Sequence, residues 1–287
     1  MNATCLACHF QKQVETALSL GNEATATAFA RELMENYLSA PQDAASPYFG
    51  PIVSALFQKY YGINEDRYVE EKRCSNTFVL ERMDTIRQRI HAQKDPVYAG
   101  LQFSILGNYL DFSALRGQVS FEKLDEMLEF GLQMELDPVC YQKLCQDLQK
   151  GKKLLYLTDN AGEIGFDRIF AEEIHKKYPH LEIIFCVRGA PTLNDATRED
   201  ARIVGIPFPV IDNGTAYAGT ILSSLGDEAR NALESADVIL AKGMGNVETM
   251  FGCGYNVYYA FLVKCQHFIN LFQKPLMTPM LVKEQTK

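Results

Sequence analysis

From Lys152 onward the chain is built of short apolar runs that end in Gly, Asn or Asp and lead into helical patterns. The runs cover 153–158, 181–187, 206–211, 238–241 and 257–263. They alternate with amphipathic stretches such as 164–177 and 195–204, and this alternation predicts parallel strands covered on both faces. The expected architecture is therefore α/β, a three-layer α/β/α arrangement around a mainly parallel sheet. In open sheets of this type ligands bind beyond the carboxyl ends of the strands, so the residues that follow each run are the candidates for chemistry.

The first half has a different texture. Residues 9–150 read mostly as helix: 23–38 carries Ala26, Phe29, Ala30, Leu33, Met34 and Tyr37 at the spacing of one buried face. Pro41, Pro47 and Pro51 punctuate the chain, and 65–90 resumes with Tyr68, Val69, Phe78, Val79, Met83 and Ile86 as its stripe. After a break at Asp95-Pro96, residues 97–110 are apolar around most of the circumference, as a helix buried on several sides would be. The expected division is an all-helical N-terminal portion, 1–120, followed by an α/β catalytic domain, 121–287.

Charge narrows the class of partner. With 36 acidic against 28 basic residues the net charge is −8, which argues against nucleic acid or an anionic membrane and favours a small-molecule substrate. The longest apolar run is about six residues, against the roughly 20 that a spanning helix needs. The first ten residues lack a basic region followed by a long apolar stretch, so a cytoplasmic location is expected. Eight scattered cysteines do not form the dense framework of a small secreted domain. Cys5-x-x-Cys8-His9 matches a haem-attachment spacing, which belongs to exported proteins, and half of a zinc site, for which only His9 and Cys74 are loose recruits. The reading preferred on physical grounds is two small thiols packed on the first helical turns.

Three strand ends carry polar residues. Asp159 and Asn160 leave the first run side by side, and Ala161, Gly162 and Glu163 follow before a helix, an arrangement that serves an anion at a helix N-terminus or an ordinary turn equally well. Asp195, after the second run, either caps the next helix or projects into the same cleft as Asp159. Two carboxylates and an amide with no nearby histidine make a hard oxygen site suited to Mg²⁺ or Mn²⁺. Lys242 leaves the fourth run with Gly243, Gly245 and Asn246 behind it, and this pattern reads as a phosphate cradle or a tight turn. No GxxxxGK[ST] and no GxGxxG opening a helix occurs, so triphosphates and dinucleotides are poorly supported. Asn108 and Asp111 either end the buried helix or let it overhang the cleft.

Together, Asp159-Asn160-Ala161-Gly162-Glu163, Leu193-Asn194-Asp195-Ala196-Thr197 and Lys242-Gly243-Met244-Gly245-Asn246 resemble the motifs of the damage-control phosphatase family, formerly domain of unknown function eighty-nine. Cys5-x-x-Cys8, the segment from Glu71 to Asn76 and Gly107-Asn108-Tyr109-Leu110-Asp111 look like its prokaryotic-type subgroup, so the resemblance covers roughly residues 5–265. It implies metal-dependent hydrolysis of phosphate monoesters, including sugar phosphates and damaged metabolites. It also implies a divalent metal on Asp159, Asn160 and Asp195, with Co²⁺ or Ni²⁺ as candidates beside Mg²⁺ and Mn²⁺. On this reading Lys242 and backbone donors after Gly243 are expected to stabilise the developing charge, Asn108, Gly243, Gly245, Asn246 and Lys264 are expected on the phosphate and substrate side, and Glu163 is expected to orient the water. Asp159 acting as a nucleophile is an alternative within the class. Rival classes are an S-adenosylmethionine-dependent carboxyl methyltransferase and a non-catalytic metal- or metabolite-binding module. The tail, 267–287, departs from the family pattern, so no final helix or strand is predicted; specificity is expected from loops around 215–225 and from the helical overhang.

Overall fold

The computed structural model describes residues 1–63, 68–110, 126, 128 and 131–284. Asn2 and Asn22 accept backbone N–H groups of the first turns of α1 (Ala3–Leu20) and α2 (Glu23–Ser39). Pro51 opens α3 (Gly50–Tyr61), whose missing donor at that position is harmless, and these three helices close over Ala17, Phe29, Leu33, Phe49 and Phe57 as a small core of their own. α4 (Val69–His91) and α5 (Pro96–Gly107) follow, then α6 (Pro138–Lys150) capped by Asp137. Every residue of α5 from Ala99 to Gly107 is buried, as its apolar circumference predicts.

The second half runs β1 (Lys153–Leu157), α7 (Glu163–Lys177), β2 (Glu182–Val187), α8 (Arg198–Val204), β3 (Val210–Asp212), α9 (Asp227–Ser235), β4 (Val238–Lys242), α10 (Gly243–Met250), β5 (Val257–Leu262), α11 (Gln266–Phe272) and β6 (Pro279–Lys283). The strand order is β3-β2-β1-β4-β5-β6; all neighbours are parallel except the edge pair β5–β6. Alternation along each strand divides the core. Leu154, Tyr156, Leu240 and Tyr258 pack with Phe78 of α4, Leu101 of α5 and Phe166 of α7. Leu155, Leu157, Ile239 and Tyr259 pack with Leu233 of α9, Val247 of α10 and Phe268 of α11. The expected three-layer α/β/α order is thus present, preceded by helices. α4 and α5 are part of it, lying on the same sheet face as α7. Gly107 allows that closeness, since a Cβ there would sit 2.8 Å from the Phe166 ring.

Several boundaries differ from expectation. The strand expected over 206–211 shortens to Val210–Asp212, because Gly205 ends α8 in the left-handed region and Pro207 and Pro209 have no ladder donor. The helix expected from Asp195 starts at Arg198, capped by a reciprocal Thr197–Asp200 box. The tail forms α11 and β6, a strand the sequence did not announce. Glu65, Asp111, the 120/121 division and 285–287 lie outside the described residues. Among the described residues no helix is long and apolar enough to cross a membrane.

β1 neighbours both β2 and β4, so connections leave in opposite directions on its two sides. The crevice above the ends of β1 and β4 is the switch point where open α/β sheets bind ligands.

Candidate active site

Asp159 and Asn160 follow β1, and Asp195 lies in the loop after β2. The two loops are joined by backbone: Ala196 N–H donates to the Asp159 carbonyl (2.7 Å), Ala161 N–H to the Asn194 carbonyl (2.8 Å), and Asn160 pairs with Asp195 as an isolated bridge. This fixes the three side chains in one crevice, each nearly buried. Leu193, two residues before Asp195, has φ 47°, a strained conformation for a side chain of its size.

Two amides bracket two carboxylates. Asn108 Nδ2 donates to Asp159 Oδ2 (2.8 Å) and Glu163 Oε2 (2.9 Å), and Asn160 Nδ2 donates to the same two oxygens (2.7 and 2.8 Å). Asn108 Oδ1 in turn accepts Leu262 N–H of β5 (3.2 Å), so α5's end does overhang the strand ends. The anion cradle considered at the start of α7 is filled by the protein itself: Asn160 N–H faces Glu163 Oε2 (3.4 Å), and Gly162 N–H donates to Asn76 Oδ1 (2.7 Å).

Lys242 does not point into open space. Its ammonium donates to Glu163 Oε1 (2.7 Å), Asp167 Oδ1 (2.7 Å) and the Ser104 carbonyl (2.9 Å), and none of the three charged side chains is exposed. Tyr156 and Ser104 hydroxyls also donate to Asp167 Oδ1 (2.8 and 2.7 Å). Burial pushes the Asp167 carboxyl up, to about 6, against the lowering effect of Lys242.

Among the described residues, the cation set against the carboxylates of both loops is Arg188, directly after β2. Its Nε donates to Asp195 Oδ2 (2.6 Å), and its Nη2 lies 3.8 Å from Asp159 Oδ1.

Gly243 starts α10 with φ 75°, and a Cβ there would lie 2.0 Å from Asp159 Oδ2, so only glycine fits. Gly245 meets the backbone of Ala218, where a Cβ would lie 2.1 Å from the carbonyl oxygen. Asn246 ties three segments together, donating to the Lys242 (2.6 Å) and Thr158 (3.3 Å) carbonyls and accepting from Thr220 Oγ1 (2.8 Å). The loop containing Thr220 also carries Tyr217, stacked on Tyr48 beside α3. Lys264 follows β5 and is nearly buried, its N–H directed at Met244 Sδ (3.4 Å).

The thiol pair of α1 does not behave as packed apolar groups: Cys8 is exposed and Cys5 half-buried. Burial, then the Glu248 carboxylate, raises the Cys5 thiol to about 11. The loose zinc recruits are engaged elsewhere, His9 Nδ1 with the Tyr37 hydroxyl and Cys74 with Glu70 (3.5 Å). Among the described residues no group of three or more His, Cys, Asp or Glu side chains is arranged to hold a metal. The Asp159, Asn160, Asp195 set has an amide as its third member.

Sequence reasoning passed over Arg188 and Asp167. Arg188 had a signal, its position one residue beyond an apolar run. Asp167 had a weaker one, its i+4 spacing from Glu163 on a helix whose face is otherwise apolar. Asn76 of α4, in the segment quoted for the resemblance but given no role there, joins Gly162 to Asp200 (2.9 Å), which Lys72 pairs at 2.7 Å.

Comparison with known proteins gives consistent matches. Residues 1–278 match the model of the damage-control phosphatase ARMT1-like domain. The chain is 34% identical over 273 residues to the uncharacterized protein MJ0202 of Methanocaldococcus jannaschii, covering 91% of this chain and 88% of that one. It is 33% identical over 240 residues to a damage-control phosphatase of Archaeoglobus fulgidus, covering 82% and 80%. It is 30% identical over 271 residues to the damage-control phosphatase PH1575 of Pyrococcus horikoshii, covering 91% and 89%. The crystal structure of the Pyrococcus horikoshii DUF89 family protein superposes with a TM-score of 0.83 over 99% of both chains, at 26% identity.

Proposed function

The chain belongs to the damage-control phosphatase ARMT1-like family, and from that premise we propose that it is a divalent-metal-dependent phosphomonoester hydrolase. Its substrates in this reading are small phosphorylated metabolites, sugar phosphates or damaged phosphometabolites, and its setting is the cytoplasm, which eight free thiols support. The observation that carries the proposal is the convergence of Asp159, Asn160 and Asp195 at the switch point of the sheet, through loops joined backbone to backbone.

These residues fit a hard cation. They offer oxygen donors, two carboxylates and an amide, with Arg188 set against both carboxylates. When bound there, Mg²⁺ or Mn²⁺ supplies charge neutralisation at the phosphoryl oxygens and activation of water. The protein's own part is orientation. The Asn108 and Asn160 amides hold Asp159 Oδ2 so that the carboxylate cannot rotate, and Lys242 holds Glu163 in place beside it. α10 begins against the Asp159 carboxylate, which supports a role for its first N–H groups in stabilising negative charge on the phosphoryl oxygens, and Lys264 is assigned to the substrate side.

The test is phosphate release from an aryl phosphate and a sugar-phosphate panel by metal-stripped protein given Mg²⁺, Mn²⁺, Co²⁺ or Ni²⁺, beside Asp159→Asn and Asp195→Asn. Metal-dependent turnover that falls by about a hundredfold or more in both folded variants supports the proposal. Silence of the wild type with every metal, or activity retained in the variants, refutes it.

A further inference from the structure

Lys242 is the cation that the strand-end pattern singled out, yet its charge is matched by two buried carboxylates, Glu163 and Asp167, and its three donors are all engaged within the protein. A phosphoryl group arriving in the crevice therefore meets no unsatisfied charge there. Among the described residues, the cation set against Asp159 and Asp195 at the ends of β1 and β2 is Arg188, only 2% exposed. One of its N–H groups is committed to Asp195, at 2.6 Å. Its Nη2 is shielded from solvent and has no hydrogen-bond partner among the described residues; Asp159 Oδ1 at 3.8 Å is beyond hydrogen-bond range. A buried donor left in this way is costly, and a native structure tolerates it where a ligand completes it.

Charge points the same way. Arg188 lies against Asp159 and Asp195, and the divalent cation of the proposed reaction would add two positive charges to this nearly closed pocket, which favours an anion next to Arg188. The guanidinium is the side chain whose planar fork suits this, with one arm on a carboxylate and another on a phosphoryl oxygen.

We propose that Arg188 is the phosphoryl-anchoring residue of this site, holding a phosphate oxygen through Nη2 while Nε stays on Asp195. The inference rests on the phosphatase reading and names the residue that receives the phosphoryl group within it. It also orders binding: the anion is held well only once the carboxylates have their metal, because without it Asp159 and Asp195 repel phosphate.

The test measures inorganic phosphate binding by calorimetry to the full chain, with and without Mn²⁺, and Mn²⁺ binding by paramagnetic resonance. Wild type is compared with Arg188→Gln and Arg188→Lys; the lysine keeps a charge for Asp195 but lacks the fork, which guards against loss of folding. Phosphate binding that needs Mn²⁺ in the wild type and weakens about 10- to 100-fold in the variants, with Mn²⁺ affinity unchanged or tighter, is the expected result. In turnover assays KM then rises more than kcat falls. Unaltered phosphate affinity in either folded variant overturns the assignment, as does a loss of Mn²⁺ affinity that accounts for the phosphate effect. Wild-type protein that binds Mn²⁺ and hydrolyses phosphate esters while the variants bind phosphate normally rejects the role of Arg188 alone. Wild-type protein that neither binds Mn²⁺ nor releases phosphate rejects the phosphatase reading together with it.

Discussion

Lys242 and Asp167 form an ion pair of 2.7 Å between two side chains that solvent does not reach, and Glu163 shares the same ammonium at the same distance. Burial alone would lower the lysine pKa, but Asp167 and Glu163 together raise it, so the cation is retained. Removing it strands two carboxylates in the core. Lys242→Met is expected to destabilise the protein by about 3–5 kcal/mol in urea denaturation, and Lys242→Met with Asp167→Leu by clearly less, because the double variant buries fewer uncompensated charges. Equal losses in the two would show that the pair is not coupled.

Gly243→Ala tests the contact between α10 and Asp159. The new methyl would lie 2.0 Å from Asp159 Oδ2, and the backbone would have to hold φ 75° with a side chain attached. Displacement of the carboxylate by about 1 Å is enough to reduce turnover by about a hundredfold. The expected result is a folded protein by circular dichroism, destabilised by about 1–3 kcal/mol, with phosphatase activity reduced on that scale. Activity near wild type would mean that Asp159 needs no fixed position.

Glu248 gives a dependence on pH. Its carboxyl is enclosed on α10, and burial raises its pKa from 4.5 to about 7, with the Met1 amine opposing the shift. Between those values the folded protein holds a proton that the unfolded chain has released, so this residue makes stability fall as pH rises from 4.5 to about 7. Glu248→Gln removes that contribution. At pH 8 the variant should be more stable than wild type by on the order of 2 kcal/mol, discounted for the solvent that reaches the side chain, and the two should converge near pH 4. Parallel stability curves across the range would refute it.

The strands were legible because parallel strands buried on both faces are uninterrupted apolar runs, and the meeting of Asp159, Asn160 and Asp195 in one crevice was legible because residues that follow such runs gather at one edge of the sheet. Direction was not legible. Lys242 occupies the expected position, but where its ammonium goes is decided by α5, whose Ser104 carbonyl lies 138 residues earlier in the chain. Asp167 sits within a helix that also carries solvent-facing charges, and only the approach of α5 and β4 makes it internal. β6 escaped notice because an antiparallel edge strand with half-buried residues lacks the continuous apolar run of its neighbours.

The loop between β3 and α9 is expected to set specificity, and its attachment to α10 is a pair of hydrogen bonds that can be removed one at a time. Thr220 Oγ1 donates to Asn246 Oδ1 at 2.8 Å, both atoms buried, and Thr220 N–H donates to Thr249 Oγ1 at 2.9 Å. Thr220→Val keeps the shape and deletes only the first, leaving a buried amide oxygen without that donor, at a cost of about 1–3 kcal/mol in denaturation experiments. Because Asn246 also holds the Lys242 and Thr158 carbonyls, the strand ends should stay in place while the loop bearing Tyr217 loosens. The kinetic consequence is then uneven. KM for a bulky sugar phosphate should rise several-fold, on the order of 1 kcal/mol, while KM for a small aryl phosphate and kcat for both change little. An equal rise for the two substrates would place the loop outside the specificity determinants, and a matched fall in kcat would show that Asn246 positions the reacting groups themselves.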